Sequence, residues 1–98
     1  MAQRKRFPGT ARANDAAFLL GRLDEAADGG LARAVKWYDR YLEEAPSGAY
    51  ASEALGRKMV AVQKLYGRER ARAVAEEYAR RFPTGTYAGA ARALRDAK

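Results

Sequence analysis

The stretch YARRFPTGTYAGAA at residues 78–91, together with its near copy YLEEAPSGAYASEA at residues 41–54, decides the fold that this sequence predicts. Tyrosine, proline, glycine, a second tyrosine and two alanines recur in both stretches at a constant offset of 37 residues. Because proline cannot continue a helix and glycine favours a turn, each stretch joins the end of one helix to the start of the next. Self-similarity at a fixed period is typical of stacked supersecondary units.

A third version, RFPGTARANDA, occupies residues 6–16, and its proline lies 38 residues before the next one. Counted from that proline, Ala13 and Ala16 match the paired alanines of the later copies. We therefore predict that residues 10–46 and 47–83 are repeats and that residues 84–98 form a capping helix. Residues 1–9 are predicted to end a preceding repeat, so that the chain is a fragment of a longer array.

Within each repeat, apolar residues at helical spacing lie between glycine and proline breaks. This pattern predicts helices over about residues 10–28, 31–45, 48–66, 68–82 and 86–97. Alanine and arginine, both good helix formers, are abundant, and isoleucine is absent. The sequence therefore predicts an all-α fold of about five helices. The spacing of Trp37, Tyr38 and Tyr41 favours core packing over an exposed peptide anchor, and Tyr50 and Tyr87 are interpreted as packing between layers.

Several classes of function are excluded or disfavoured by composition. The chain has no cysteine and no histidine, which removes disulfides, zinc sites with those ligands and histidine-based acid–base catalysis. The carboxylates of the first helix have no partner constellation, and no nucleotide-binding motif is present. We therefore predict a protein that is not an enzyme and needs no cofactor. No apolar run approaches the roughly 20 residues of a membrane-spanning helix, so membrane insertion is not expected.

The net charge of +7 is unevenly distributed, since residues 1–12 carry +4, residues 13–53 carry −4 and residues 54–98 carry +7. Such polarity leaves open a self-assembling module with head-to-tail contacts between oppositely charged ends. A basic helical domain that binds nucleic acid is the other alternative. Glu69, Glu76 and Glu77 interrupt the basic patch, which disfavours nucleic acid as the partner.

The stretches at residues 41–54 and 78–91 resemble the unit ends, YxxxxPxGxYAxxA, of tetratricopeptide-type repeats of the bacterial cell-envelope variety. Residues 17–59 look most like the C-terminal repeats of FecR-like anti-sigma regulators. The resemblance implies a right-handed superhelix of stacked antiparallel helix pairs. It also implies a scaffold for protein or peptide partners within a larger bacterial envelope or regulatory protein. The resemblance also implies a periplasmic or cell-envelope location. The chain itself shows no targeting signal, so this expectation is based on the resemblance alone.

The period of 37 or 38 residues departs from the usual tetratricopeptide unit of about 34 residues. In the second repeat, Lys58 and Met59 stand where a leucine–glycine pair is expected, so the peptide-clamp residues of eukaryotic members are not carried over. In stacks of this type the first helix of each unit lines the binding groove. The resemblance therefore makes the basic residues on the polar faces of those helices candidates for partner binding, namely Arg22, Arg57 and Lys64.

Overall fold

The computed structural model describes residues 11–96, with side chains from residue 15 onward, and this part of the chain is all helical. Its five helices are α1 (Ala11–Ala26), α2 (Leu31–Glu44), α3 (Ala51–Tyr66), α4 (Arg68–Arg81) and α5 (Ala88–Asp96). The predicted all-α class and the predicted number of five helices are confirmed for the described residues. The predicted end of a preceding repeat, at residues 1–9, lies outside the described residues.

Helices that follow one another in the chain pack against one another, and short connections enforce this. Gly67 alone separates α3 from α4, with a φ of 93°. Its amide donates a hydrogen bond of 2.9 Å to the Gln63 carbonyl, which satisfies one of the last acceptors of α3. A side chain at this position would strain the left-handed backbone, so glycine is the residue that permits so tight a reversal.

The two longer turns, between α2 and α3 and between α4 and α5, share one hydrogen bond. The Tyr41 hydroxyl accepts a bond of 2.8 Å from the Tyr50 amide, and the Tyr78 hydroxyl accepts one of 3.0 Å from the Tyr87 amide. These amides lie at helix starts, where donors lack intrahelical partners. Each hydroxyl therefore fixes the chain at the point where the next helix begins.

Glycine makes room for that hydroxyl. A Cβ atom added to Gly48 would overlap the Tyr41 hydroxyl, and one added to Gly85 would overlap the Tyr78 hydroxyl. Neither glycine has a positive φ, so close approach rather than backbone conformation requires glycine here. This contact explains why the first tyrosine and the glycine recur with the same spacing in both sequence copies, whereas Tyr50 and Tyr87 contribute only their backbone amides to it.

The core has two neighbouring clusters. One joins α1, α2 and the start of α3, and it includes Phe18, Tyr38 and Tyr41, all at most 3% exposed. The other joins α3, α4 and α5 around residues such as Leu55, Met59, Tyr78 and Leu94. Leu42 and Phe82 pack against both clusters, so the interior is continuous along the described helices.

The prediction that Trp37, Tyr38 and Tyr41 all lie in the core is wrong for Trp37. Tyr38 and Tyr41 are buried as predicted, but Trp37 is only half-buried at the edge of the cluster. Its indole nitrogen donates a hydrogen bond of 3.1 Å to Asp24 on α1. The indole therefore bridges two helices at the surface, with one edge in the core and its polar atom on a carboxylate.

The packing also corrects the register of the first copy. Ala17, Ala54 and Ala91 are each at most 4% exposed and lie 37 residues apart, whereas Ala16 is exposed. Counting from Pro8 predicts Ala16 as the equivalent of Ala54 and Ala91, and this prediction is wrong. The side chain of Ala13, the other predicted match, lies outside the described residues. The buried alanines follow the helix face that packs on the next helix, so the contact register is 37 throughout, not 38.

Gly85→Ala is expected to lower the free energy of unfolding by about 1–3 kcal/mol, because the added methyl group overpacks the Tyr78 hydroxyl. In a Tyr78→Phe background the same substitution is expected to cost less, since the obstructing oxygen is gone. Chemical denaturation of the four proteins gives the coupling, which for contacting residues is on the order of 0.5–3 kcal/mol.

Gly89→Ala is the matched control. Gly89 lies in α5 with nothing within 4 Å of an added Cβ, so the substitution is expected to raise stability by about 0.5–1 kcal/mol. If the costs of Gly85→Ala and Tyr78→Phe simply add, the hydroxyl does not occupy the place of the missing side chain and the explanation of the motif is wrong.

Candidate binding surface

The first helices of successive units, α1, α3 and α5, lie side by side. Arg57 of α3 reaches Glu25 of α1, and Glu53 of α3 accepts a hydrogen bond from Tyr87 at the start of α5. We call their shared surface the first-helix face. The 37-residue register defines it by four sets of equivalent positions: Ala16, Glu53 and Ala90; Leu19, Gly56 and Ala93; Leu20, Arg57 and Leu94; Leu23 and Val60.

A chain of polar contacts crosses this face with Arg57 at its centre. The Arg57 guanidinium donates to Glu25 at 3.0 Å through Nη1 and to Glu53 at 2.8 Å through Nε. The Tyr38 hydroxyl donates to Glu25, and the Tyr87 hydroxyl donates to Glu53 at 3.0 Å. Two carboxylates thus receive four hydrogen bonds, which tie α1, α2 and α3 to the start of α5.

The electrostatics of this network favour the neutral phenols and the charged Arg57 guanidinium. Burial raises the pKa of Tyr38, and the hydrogen bond to Glu25 raises it further. Burial likewise raises the pKa of Tyr87, with Glu53 adding to it. Burial acts to lower the pKa of Arg57, but the charge of Glu25 and the hydrogen bonds of the network outweigh it and raise that pKa. Arg57 therefore holds a full charge that two carboxylates neutralise.

Beside this network, an open groove of about 380 Å³ lies between α3 and α5. The groove exists because α5 presents alanines, whose side chains end at Cβ and do not reach across to α3. Its walls are mainly apolar, and Arg68, the first residue of α4, lies at one end. The lining residues are Met59, Val60, Gln63, Arg68, Ala90, Ala93 and Leu94.

A ridge of leucines lies on α1. Leu19 and Leu23 are 57% and 68% exposed, and they lie one helical turn apart on the same side of the helix. Leu20, which is 39% exposed, borders them. In the 37-residue register Leu23 corresponds to Val60 in the groove wall, so the ridge and the groove lie on the same face.

The three predicted partner-binding residues have different environments. Arg22 and Lys64 are exposed on α1 and on the last turn of α3, whereas the Arg57 side chain is 22% exposed and paired within the chain. Among the described residues no hydrogen bond or ion pair joins the three. Their equivalents one period away are Met59, Leu20 and Ala27, so they occupy three unrelated repeat positions.

The groove and the carboxylates of the network were not predicted from the sequence. Two sequence patterns point weakly to the network and the groove. Glu53 and Arg57 have the spacing of a helical ion pair, and Ala90 and Ala93 leave a gap in any face they line. Neither pattern indicates which distant helix supplies the other wall.

No group of three residues able to hold a metal ion occurs among residues with described side chains. In the same part of the chain, none of the helices has the length and apolar character needed to cross a membrane. Comparison of the chain with models of protein families, with curated proteins and with solved structures returned no match.

Raising the pH above the ordinary tyrosine pKa, near 10, is expected to destabilise the fold through Tyr38. The folded state keeps the proton while the unfolded chain loses it, so the free energy of unfolding falls by about 1.4 kcal/mol per pH unit for one such group. In Tyr38→Phe this part of the alkaline loss is absent. Urea denaturation at several pH values above neutrality measures the slope.

Tyr66→Phe, at an exposed tyrosine, is the matched control for the loss of one phenol. An alkaline slope that is the same in the wild-type protein and in Tyr38→Phe contradicts the raised pKa of Tyr38. A difference in stability between Tyr38→Phe and the wild-type protein at neutral pH does not affect the test, because the test compares only how the free energy of unfolding changes with pH.

Proposed function

We propose that this chain is a non-enzymatic scaffold for protein–protein interaction, built of tetratricopeptide-like repeats. It acts as part of a larger bacterial envelope or regulatory protein, and it binds its partner on the first-helix face. The resemblance of residues 41–54 and 78–91 to such repeats supports the assignment to this class. The observation that carries the choice of surface is the apolar groove between α3 and α5.

The chemistry of the groove specifies the kind of partner. Val60, Ala90 and Ala93, whose side chains are partly or fully exposed in the groove, offer apolar contact to one or two side chains of a helix or an extended segment. Lys64 and Arg68 are exposed at the end of α3 and the start of α4, where they favour an acidic group on the partner. The fitting ligand is thus a short amphipathic segment with a carboxylate beside its apolar residues.

Rigidity supports the role of a scaffold. The hydroxyl–glycine turns and the network around Arg57 fix the angle between α3 and its neighbours before a partner binds. A preformed surface avoids the entropy cost of ordering loops and side chains upon association. The groove walls belong to helices rather than loops, so the partner meets a surface of fixed shape.

Nucleic-acid binding by the basic second half has less support. Five cations of the described residues there have carboxylates within 4 Å in the chain itself, namely Arg57, Lys58, Arg72, Arg81 and Arg95. Phosphate binding would have to compete with these carboxylates. Binding that stays weak at low salt is the expected outcome for a nucleic-acid probe, since phosphate contacts strengthen as salt falls.

The test is a photo-activated cross-linker placed at Ala93 in the groove and expressed in cells of the source organism. We expect Ala93 to give an adduct with one protein other than a second copy of this chain, and the exposed Glu76 on α4, as matched control, to give none. Val60→Glu in the same protein, at a partly exposed position of the groove wall, is expected to abolish the adduct. Adducts that are the same from both positions, or none from Ala93, contradict binding at the groove.

A further inference from the structure

The first-helix face carries a ridge and a groove whose shapes and polarity match. Leu19 and Leu23 project from α1 as a short apolar ridge, and the groove between α3 and α5 exposes Val60, Ala90 and Ala93 beside the buried Met59 and Leu94. Exposed apolar surface of this kind is unfavourable in water and marks sites of association. One surface thus offers both halves of an interface.

We propose that two copies of this chain pair face to face about a two-fold axis, with the α1 ridge of each copy in the α3–α5 groove of the other. Since ridge and groove lie on the same face, a single rotation by half a turn brings both contacts together. The same contact is then made twice, which is the property of a closed two-fold interface.

The charges favour this arrangement over a parallel one. Residues 13–53 carry a net charge of −4, and residues 54–98 carry +7. Residues 1–12 carry +4, so the acidic segment is residues 13–53 alone. Antiparallel pairing places this segment of each copy over residues 54–98 of the other. At the ends of the contact, the exposed Asp28 after α1 has the sign to face the exposed Lys64 and Arg68 beside the groove. Complementary charge of this kind selects the orientation and speeds the encounter.

Closure distinguishes this pairing from head-to-tail assembly. If ridge and groove were on opposite faces, each added copy would leave one free ridge and one free groove, and the assembly would continue to grow. With both on one face, the dimer uses up its own binding surfaces. A protein partner that binds the groove must then displace the second copy, so dimerisation regulates access to the face.

Sedimentation equilibrium over a range of concentrations tests the proposal. The mass is expected to rise from 10.8 kDa to twice that value and to stop there. Added salt is expected to weaken the dimer, because the two halves attract through exposed charges. A mass that stays at 10.8 kDa at all concentrations overturns the proposal, and a mass that continues to grow overturns the closed two-fold arrangement.

Variants locate the interface. Leu23→Lys on the ridge and Ala93→Arg in the groove are each expected to abolish the dimer, and both positions are exposed, so the fold is retained. Glu76→Lys on α4 is the matched surface control, expected to leave the dimer intact. Thermal unfolding of each variant confirms folding. A dimer that persists in both Leu23→Lys and Ala93→Arg shows that another surface pairs.

Mixing Leu23→Lys with Ala93→Arg adds an internal check. In a mixed pair, one ridge and one groove remain wild type and face each other, so partial association is expected where neither variant associates alone. Absence of association in the mixture, when each parent is folded and the wild-type protein dimerises, contradicts the pairing of this ridge with this groove. This outcome is independent of whether a partner protein is found by cross-linking.

Discussion

The rest of this structure depends on one contact, in which a tyrosine hydroxyl occupies the space that a side chain would fill if the glycine were any other residue. In both long turns the oxygen accepts the amide hydrogen bond that begins the next helix. The buried ring is fixed by its own helix, so the oxygen transmits the position of that helix to the one that follows. The starts of α3 and α5 are thereby fixed by one hydrogen bond each, in addition to the apolar packing of the two clusters.

The gap between α1 and α3 and the gap between α3 and α5 differ, although equivalent repeat positions line them. Arg57 of α3 and Leu94 of α5 are one period apart. Between α1 and α3 the arginine draws in Glu25 and Glu53, and the helices are joined by charge. Between α3 and α5 the leucine and the alanines leave the groove open. The backbone specifies where the first helices lie, and the side chains at a few repeat positions decide whether a gap between them is closed or available.

The sequence predicted the features that depend on neighbours along the chain. Helix ends at Gly67 and before the prolines, and the all-α fold, follow from local propensity and period. The position of Trp37 did not follow, because helical spacing identifies a face but not how far that face extends into the core. Glu53 and the Tyr87 hydroxyl are 34 residues apart, and Arg57 and Glu25 are 32 apart. Such pairs depend on how units stack, which local pattern does not encode.

The hydroxyl–glycine turn also has a consequence for how such a chain changes over evolutionary time. Tyr78, Gly85 and Tyr87 make their contact within ten consecutive residues, so a duplicated copy of a unit brings along everything its own joint requires. Insertion or loss of a whole unit leaves each remaining joint intact. Recombination that respects the period therefore keeps each hydroxyl–glycine turn, while contacts between first helices, such as that of Arg57 with Glu25, still depend on which units are neighbours.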